Sequence, residues 1–180
     1  MNDREAFQRA NSVALRFLSY RARSEAEVKT RLLRRFPADL VDQVMEKLSR
    51  QGLIDDSEFA MLWKQSRDTH RPRSAFLIRR ELLAKGVSQE QASQAVADVD
   101  EDDAAYRAGQ KFARRLHNLD FLKFSARLWA HLRRRGFNNA VSRHTVSRIW
   151  SENGLQGDMP ANSESTHASN FESSEGYGHA

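Results

Sequence analysis

The sequence predicts an all-α protein in which three tandem three-helix repeats form an elongated, curved array. Three observations support this fold class. Eight Gly and three Pro among 180 residues are too few for a turn-rich β protein. Apolar residues recur at spacings of three and four, which is the helical period. The chain also partly overlays itself when it is shifted by fifty residues, as expected of repeats stacked in series.

The fifty-residue repeat is visible in two apolar positions, one basic position and one glycine. The matched residues are Val28, Ile78 and Leu128; Leu32, Leu82 and Leu132; Arg35, Lys85 and Arg135; and Gly86 and Gly136. The first copy lacks the glycine and reads Arg35-Phe36-Pro37 instead. Because a helical trio of this size buries too little apolar surface to be stable alone, we expect neighbouring repeats to stabilise one another.

The first repeat shows the signals of three helices. An apolar stripe at residues 10–18 has the helical period. Ser24 and Glu27 have the spacing of a capping box at the start of a second helix. Pro37 ends that helix because it forces the residue before it into extended geometry. A third apolar stripe then stops at Gly52, a typical residue just after a helix.

The second repeat carries the same signals in the same order. Asp55 is a favourable N-cap, with Glu58 three residues further on. The second helix of this repeat is expected to end at Gly86. Ser88, followed by Gln91, then caps the third helix.

The third repeat begins in an acidic segment at residues 98–103, whose carboxylates favour a helix N-terminus through the helix dipole. Apolar stripes follow at residues 105–112, 128–132 and 141–150, with Gly136 between the last two. The three tryptophans, at positions 63, 129 and 150, are expected to pack in the cores, with partial exposure as the alternative for Trp150 at the end of the last repeat.

These elements divide the chain into repeats at residues 1–52, 53–101 and 102–155. The remaining segment, residues 156–180, holds four acidic residues and no Lys or Arg. It is rich in Ser, Gly, Asn and His and shows no apolar period, which predicts a disordered acidic tail.

The charge of the chain favours anionic partners. The formal net charge is +5 and the isoelectric point is about 9.9. Residues 123–149 contain seven Lys and Arg and no acidic residue. Such a run is either a solvated helix face or a positive field that attracts a polyanion, and the run alone favours neither.

Several functional classes are excluded by residues that the sequence lacks. It contains no cysteine, so it has no disulfide, no zinc–cysteine site and no thiol nucleophile. No apolar run approaches the roughly 18–20 residues that span a bilayer, and the polar N-terminus does not resemble a secretory signal. We therefore expect a cytoplasmic protein. Neither a glycine-rich phosphate loop nor an H-E-x-x-H motif occurs, so we predict no catalytic residue, metal site or cofactor.

Three passages resemble the RecX family, the bacterial regulators of the RecA recombinase. They are residues 18–28 (LSYRARSEAEV), 52–60 (GLIDDSEFA) and 79–87 (RRELLAKGV), the last echoed by residues 133–137 (RRRGF). The resemblance covers residues from about 8 to 150. It implies a monomeric, non-enzymatic modulator, mainly an inhibitor, that lies in the groove of the RecA–DNA filament. It also implies that filament extension, ATP hydrolysis, strand exchange and co-protease activity are restrained in DNA repair and the SOS response.

Basic residues are the candidate contacts with the filament or with DNA. They are Arg21, Arg23, Arg35, Arg71, Arg73, Arg79, Arg80, Lys85, Arg127, Arg133, Arg134 and Arg135. Many recur once per repeat, before or at the end of the second helix. A filament repeats its own surface, so equivalent patches could bind successive subunits multivalently. The alternative is that these bases are solvated helix ends, which are favourable near helix C-termini.

A second hypothesis assigns the acid-free run to nucleic acid. In this interpretation the third repeat is a basic module that binds single- or double-stranded DNA without sequence preference. Its affinity would then fall steeply with salt.

Overall fold

A computed structural model of the chain describes residues 3–153, which form nine α-helices and no strand. The helices are α1 (Asp3–Leu18), α2 (Glu25–Leu33), α3 (Ala38–Arg50), α4 (Asp56–His70), α5 (Ala75–Ala84), α6 (Gln89–Ala95), α7 (Glu101–Ala113), α8 (Phe121–Arg134) and α9 (Asn139–Glu152). The predicted all-α class is confirmed. The predicted disordered tail at residues 156–180 lies outside the described residues.

Each successive trio of helices packs around a core of its own. The extensive helix–helix contacts all lie within α1–α3, within α4–α6 or within α7–α9. The apolar positions matched by the fifty-residue repeat are fully buried in three separate clusters: Val28 and Leu32, Ile78 and Leu82, and Leu128 and Leu132. The prediction of three tandem three-helix repeats is therefore confirmed. We call these trios repeats 1, 2 and 3.

The helices begin where capping side chains are available. The Ser24 hydroxyl accepts a hydrogen bond from the Glu27 N–H, and the Glu27 carboxylate accepts one from the Ser24 N–H, so the predicted capping box is present. The Asp55 carboxylate accepts from two N–H groups of α4, and the Ser88 hydroxyl accepts from the Gln91 N–H. These contacts satisfy N–H groups that have no partner within the helix.

The second helices of repeats 2 and 3 end in the same glycine turn. Gly86 and Gly136 adopt left-handed backbone angles, with φ of 86° and 90°. The N–H of the next residue donates to the carbonyl of Leu82 at 3.2 Å in one turn and to that of Leu132 at 3.3 Å in the other. This pattern satisfies carbonyls that are left free at a helix C-terminus.

The tryptophans do not all lie in the cores. Trp150 is buried against Phe121 and Phe124, and Trp63 is half-buried. Trp129 is 39% exposed on α8, so its predicted core position is wrong. Its neighbour Leu128 takes the core-facing position, and successive residues of a helix point in different directions.

Within residues 3–153, every helix is too short or too polar to cross a lipid bilayer.

Candidate interaction surface at the repeat junctions

The two junctions between consecutive repeats use the same carboxylate contact. At junction 1–2, the first N–H of α2, that of Glu25, donates to Asp56 Oδ1 at 2.8 Å. At junction 2–3, the first N–H of α5, that of Ala75, donates to Glu101 Oε1 at 2.7 Å. Each acceptor is the first residue of the next repeat's first helix. Burial raises the pKa of both carboxyl groups, although the backbone hydrogen bond to each opposes that shift.

A second contact joins a capping serine to the helix end of the following repeat. The Ser24 hydroxyl donates to the Lys85 carbonyl at 2.6 Å, and the Ser74 N–H donates to the Arg135 carbonyl at 3.1 Å. Both serines are buried, and each also caps its own helix. Because Lys85 and Arg135 are matched positions of the repeat, the two junctions use corresponding residues, although the donor is the serine hydroxyl in one and the serine N–H in the other.

Glycine is required where the repeats meet. A Cβ added at Gly86 would lie 2.3 Å from the Ala26 Cβ, and one added at Gly136 would lie 2.3 Å from the Ser74 Oγ. The preceding repeat therefore occupies the space that any other side chain would need. Repeat 1 has no glycine at the matching position, so the end of its second helix lacks the surface against which a preceding repeat packs in repeats 2 and 3.

Basic side chains from two repeats gather at junction 1–2. This cluster, which we call cluster A, consists of Arg21, Arg23 and Lys85 around the Glu27 carboxylate. Arg21 Nη2 and Lys85 Nζ lie 2.8 Å and 3.3 Å from Glu27 Oε1, and the Arg23 guanidinium lies 4.0 Å from the centre of the Phe17 ring. Burial raises the pKa of Glu27, but the hydrogen bonds from Arg21, Ser24 and Lys85 outweigh it and lower this pKa overall.

Junction 2–3 carries a larger group, cluster B, which consists of Arg67, Arg71, Arg73 and Arg135. Arg67 Nε lies 2.8 Å from Glu81 Oε2, and Arg73 contacts the same carboxylate. The Arg135 guanidinium donates to the Pro72 carbonyl at 3.0 Å. Burial lowers the pKa of Arg73, and the charges of the other three arginines lower it further.

Positive charge is in excess at both junctions. Cluster A has three basic side chains around the Glu27 carboxylate, and cluster B has four arginines, of which two contact Glu81. The depressed pKa values of Arg23 and Arg73 come from burial first and then from neighbouring arginines. Glu27 and Glu81 neutralise part of this charge, but Arg23, Arg71 and Arg135 form no ion pair with any residue in 3–153. This excess of positive charge suits both clusters to a polyanion or an acidic protein surface.

The structure brings together six of the twelve predicted contact residues. Arg21, Arg23 and Lys85 lie in cluster A, and Arg71, Arg73 and Arg135 lie in cluster B. Lys85 and Arg135 also hold their junctions together. Sequence reasoning missed Arg67, Glu27 and Glu81 as members of these clusters. Two signals in the sequence could have found them. Arg67 lies one helical turn before Arg71, and Glu27 is the residue of the predicted capping box.

The other six predicted contact residues lie outside the clusters. Arg133 Nη1 donates to the Phe137 carbonyl at 2.6 Å, and the Arg80 guanidinium lies 5.7 Å from the centre of the Phe76 ring. The remaining four form no side-chain hydrogen bond or ion pair with any residue in 3–153. They are the exposed Arg35, Arg127 and Arg134 and the half-buried Arg79.

His131 has a structural position beside cluster B. Its ring stacks on Phe112 with 4.0 Å between centroids and 8° between planes. Burial, followed by the charges of Arg135 and Arg134, lowers its pKa to about 4. The ring is therefore neutral near pH 7 and stacks as an uncharged aromatic group.

We expect acid to destabilise the protein through His131. The unfolded chain, whose histidine pKa is about 6.5, binds this proton more readily than the folded chain. The contribution of His131 is therefore fully present above pH 6.5 and declines as pH falls toward 4. Urea unfolding at pH 7 and pH 5 should show a smaller decline in His131→Phe than in the wild type. His144→Phe, which alters an exposed histidine on α9, should decline as the wild type does, and equal declines in all three proteins would contradict the assignment.

Comparisons with known proteins agree with this architecture. The sequence models for the first, second and third three-helix domains of RecX match residues 10–48, 55–96 and 100–146. The chain is 36% identical over 148 residues to a protein of Mycolicibacterium smegmatis named regulatory protein RecX, covering 78% of this chain and 79% of that protein. It is 30% identical over 159 residues to one of the same name from Amycolatopsis mediterranei, covering 86% and 91%.

Solved structures support the same fold. The crystal structure of RecX from Lactobacillus salivarius superposes with a TM-score of 0.69 at 19% identity, covering 81% of this chain and 97% of that one. A second crystal structure, of a regulatory protein RecX, gives a TM-score of 0.68 at 23% identity and covers 79% and 73% of the two chains. Each of the three repeats matches the RecX domain of the same number, in the same order along the chain. The chain therefore belongs to the RecX family.

Proposed function

We propose that this protein restrains the RecA recombinase by lying, as a monomer, along the groove of the RecA–DNA filament in the cytoplasm. Membership of the RecX family implies regulation of RecA; the mode of binding is our proposal. In this mode the protein acts mainly as an inhibitor and catalyses no reaction. It limits filament extension and, with it, ATP hydrolysis, strand exchange and co-protease activity.

The observation that supports this mode is the equivalence of the two junctions. At both junctions a helix N–H binds a carboxylate of the next repeat, and a serine binds the carbonyl at the matched helix end, through its hydroxyl at junction 1–2 and through its N–H at junction 2–3. Clusters A and B therefore lie at corresponding places in successive repeats. A filament presents equivalent sites at a regular spacing. Each exposed ion pair contributes only about 0–1 kcal/mol, but several that form together can give substantial affinity.

The structure indicates which arginines test the third repeat. Reversal of Arg135 would disrupt junction 2–3, because its guanidinium binds the Pro72 carbonyl. Arg127 and Arg134 are exposed and have no side-chain partner among residues 3–153. They can therefore be changed without removing a structural contact.

Wild-type protein should slow DNA-stimulated ATP hydrolysis by RecA at sub-stoichiometric amounts. We expect Arg127→Glu combined with Arg134→Glu to raise the half-inhibiting concentration about tenfold, because two attractive pairs become repulsive. The matched control, Arg4→Glu with Arg16→Glu, changes the net charge equally on exposed positions of α1 and should shift this concentration less than twofold. A wild-type protein that leaves ATP hydrolysis unchanged at every ratio would contradict the proposal.

Direct DNA binding is a second candidate function, favoured by one observation. The exposed residues Arg127, Arg133, Arg134 and Arg143 lie on α8 and α9, and no acidic residue occurs between positions 121 and 149. Fluorescence anisotropy with an oligonucleotide and no recombinase separates the two candidates. Tight binding that weakens steeply with salt would favour a DNA-binding role, whereas inhibition of the recombinase without such binding would favour the filament.

A further inference from the structure

A concave surface lies between α4 and α6 of repeat 2, on an apolar base. It encloses about 940 Å³, and its lining includes Met61, Leu62 and Ala95. Met61 is 65% exposed and Leu62 is 44% exposed. Large apolar side chains at this level of exposure, gathered in a concave surface, are typical of a binding site.

A second, smaller hollow lies beside the first, toward repeat 1. It encloses about 340 Å³ and is lined by Leu15, Leu18 and Leu53, among others. Glu58 and Leu62, both on α4, line the two hollows together. Arg23 of cluster A also lines the smaller hollow, so we use the name α4 groove for the larger hollow between α4 and α6 alone.

The rim of the α4 groove is acidic, although the chain as a whole is basic. Glu58, Asp68, Glu90 and Asp98 line the larger hollow. Its single lysine, Lys64, is paired with Asp98 at 2.6 Å. Asp68 lies 3.8 Å from Arg107 of repeat 3, so two of the four carboxylates have a basic partner.

Helix capping explains only part of this acidic rim. Glu58 and Glu90 lie in the first turns of α4 and α6, where the helix dipole favours a negative charge. Asp68 lies in the last turn of α4, where the dipole disfavours one, and Asp98 lies beyond the end of α6. The acidic groups therefore extend along the whole length of the larger hollow.

The chemistry of the groove indicates its occupant. Apolar side chains between acidic rims match a helix that has an apolar stripe flanked by Lys or Arg. The rim would repel the phosphates of a nucleic acid. It would also repel the segment 156–180 of this chain, which has four acidic residues and no Lys or Arg.

We propose that the α4 groove binds a basic, amphipathic helix of the recombinase. This inference rests on the proposed function and adds a second kind of contact to it. Clusters A and B supply positive charge to the filament, and the α4 groove accepts positive charge from it. Two contacts of opposite sign fix the orientation of the protein, because turning it around would bring like charges together.

The test compares a groove variant with a matched control. The groove variant combines Met61→Gln with Glu90→Lys. The control combines Leu33→Gln with Asp39→Lys, which alters an exposed leucine of α2 and an acidic residue in the first turn of α3, both outside the groove. Binding is measured to RecA filaments assembled on labelled single-stranded DNA and, separately, to the same DNA without RecA.

We expect the groove variant to bind the filament about tenfold more weakly than the wild type, and the control to remain within about twofold. On bare DNA the groove variant should bind as well as the wild type or more tightly, because an acidic group has become basic. A misfolded variant would not show this combination. A photo-crosslinker at position 61 should capture a recombinase segment in which apolar residues recur at spacings of three and four, flanked by Lys or Arg.

Three results would overturn the inference. Equal filament binding by the groove variant and the control would remove the groove from the interface while leaving the proposed function intact. A wild-type dimer that the groove variant abolishes would assign the groove to a second copy of this chain. Failure of the wild type to bind filaments at all would contradict the proposed function and, with it, this inference.

Discussion

Replacing Phe124 with alanine should lower the free energy of unfolding of repeat 3 by about 3–5 kcal/mol. Phe124 is fully buried, and its ring centre lies 5.0 Å from that of Trp150. The three cores are separate, and the junctions join them mainly through hydrogen bonds. The loss should therefore concentrate in α7–α9, weaken repeat 2 through junction 2–3, and leave repeat 1 nearly unchanged.

Hydrogen exchange resolved along the chain measures this distribution. Amide protection should fall strongly in α7–α9 and remain close to wild type in α1–α3. Leu122→Ala, on the same helix but 72% exposed, is the matched control and should change stability by no more than about 0.5 kcal/mol. A uniform loss of protection across all nine helices would show that the described residues unfold as one unit, contrary to our expectation.

Gly86→Ala should open junction 1–2 at a total cost of about 3 kcal/mol. A left-handed backbone costs a residue other than glycine about 1–2 kcal/mol, and forcing extra atoms into a packed site adds about 1–3 kcal/mol. The new Cβ would meet the Cβ of Ala26 at 2.3 Å. Neither atom can rotate away, so the two repeats must separate. Urea unfolding would report the cost, and hydrogen exchange at the Glu25 amide would report the opening.

Two variants isolate the effect of the contact from that of the backbone. Gly52 is also left-handed, with φ of 65°, but a Cβ added there would meet no atom within 4 Å. Gly52→Ala should therefore show only the backbone cost. Adding Ala26→Gly to Gly86→Ala should restore part of the stability by removing the opposing Cβ. If Gly86→Ala and Gly52→Ala cost the same, the close approach of the repeats contributes nothing.

The local features of this fold are predictable from sequence because they depend on neighbours in the chain. The capping box at Ser24 and Glu27 and the glycine turn at Gly86 each involve residues within a few positions of one another. The buried positions Val28 and Leu32 follow from helical spacing. Trp129 was mispredicted because an apolar residue does not by itself reveal which face of the helix meets the core.

The junctions were not predictable, because their partners are distant in sequence. The Ser24 hydroxyl reaches the carbonyl of Lys85, and the Ala75 N–H reaches Glu101. The repeat correctly placed bases at the ends of the second helices. It could not show that Lys85 and Arg135 contact a neighbouring repeat while Arg35, at the matching position, is exposed. The functional role of the twelve predicted basic residues remains a prediction.

The glycine turn and the capping serine affect which repeat could be duplicated without losing the contacts between repeats. Repeat 2 offers Ser74 to the unit after it and Gly86 to the unit before it. Duplicating this unit in place would therefore recreate the serine and glycine contacts at the new boundary. A duplicate of repeat 1 would lack the glycine, and one of repeat 3 would place the larger Asp120 side chain where Ser74 packs against Gly136. The middle unit is thus the natural point at which gene duplication could lengthen the protein.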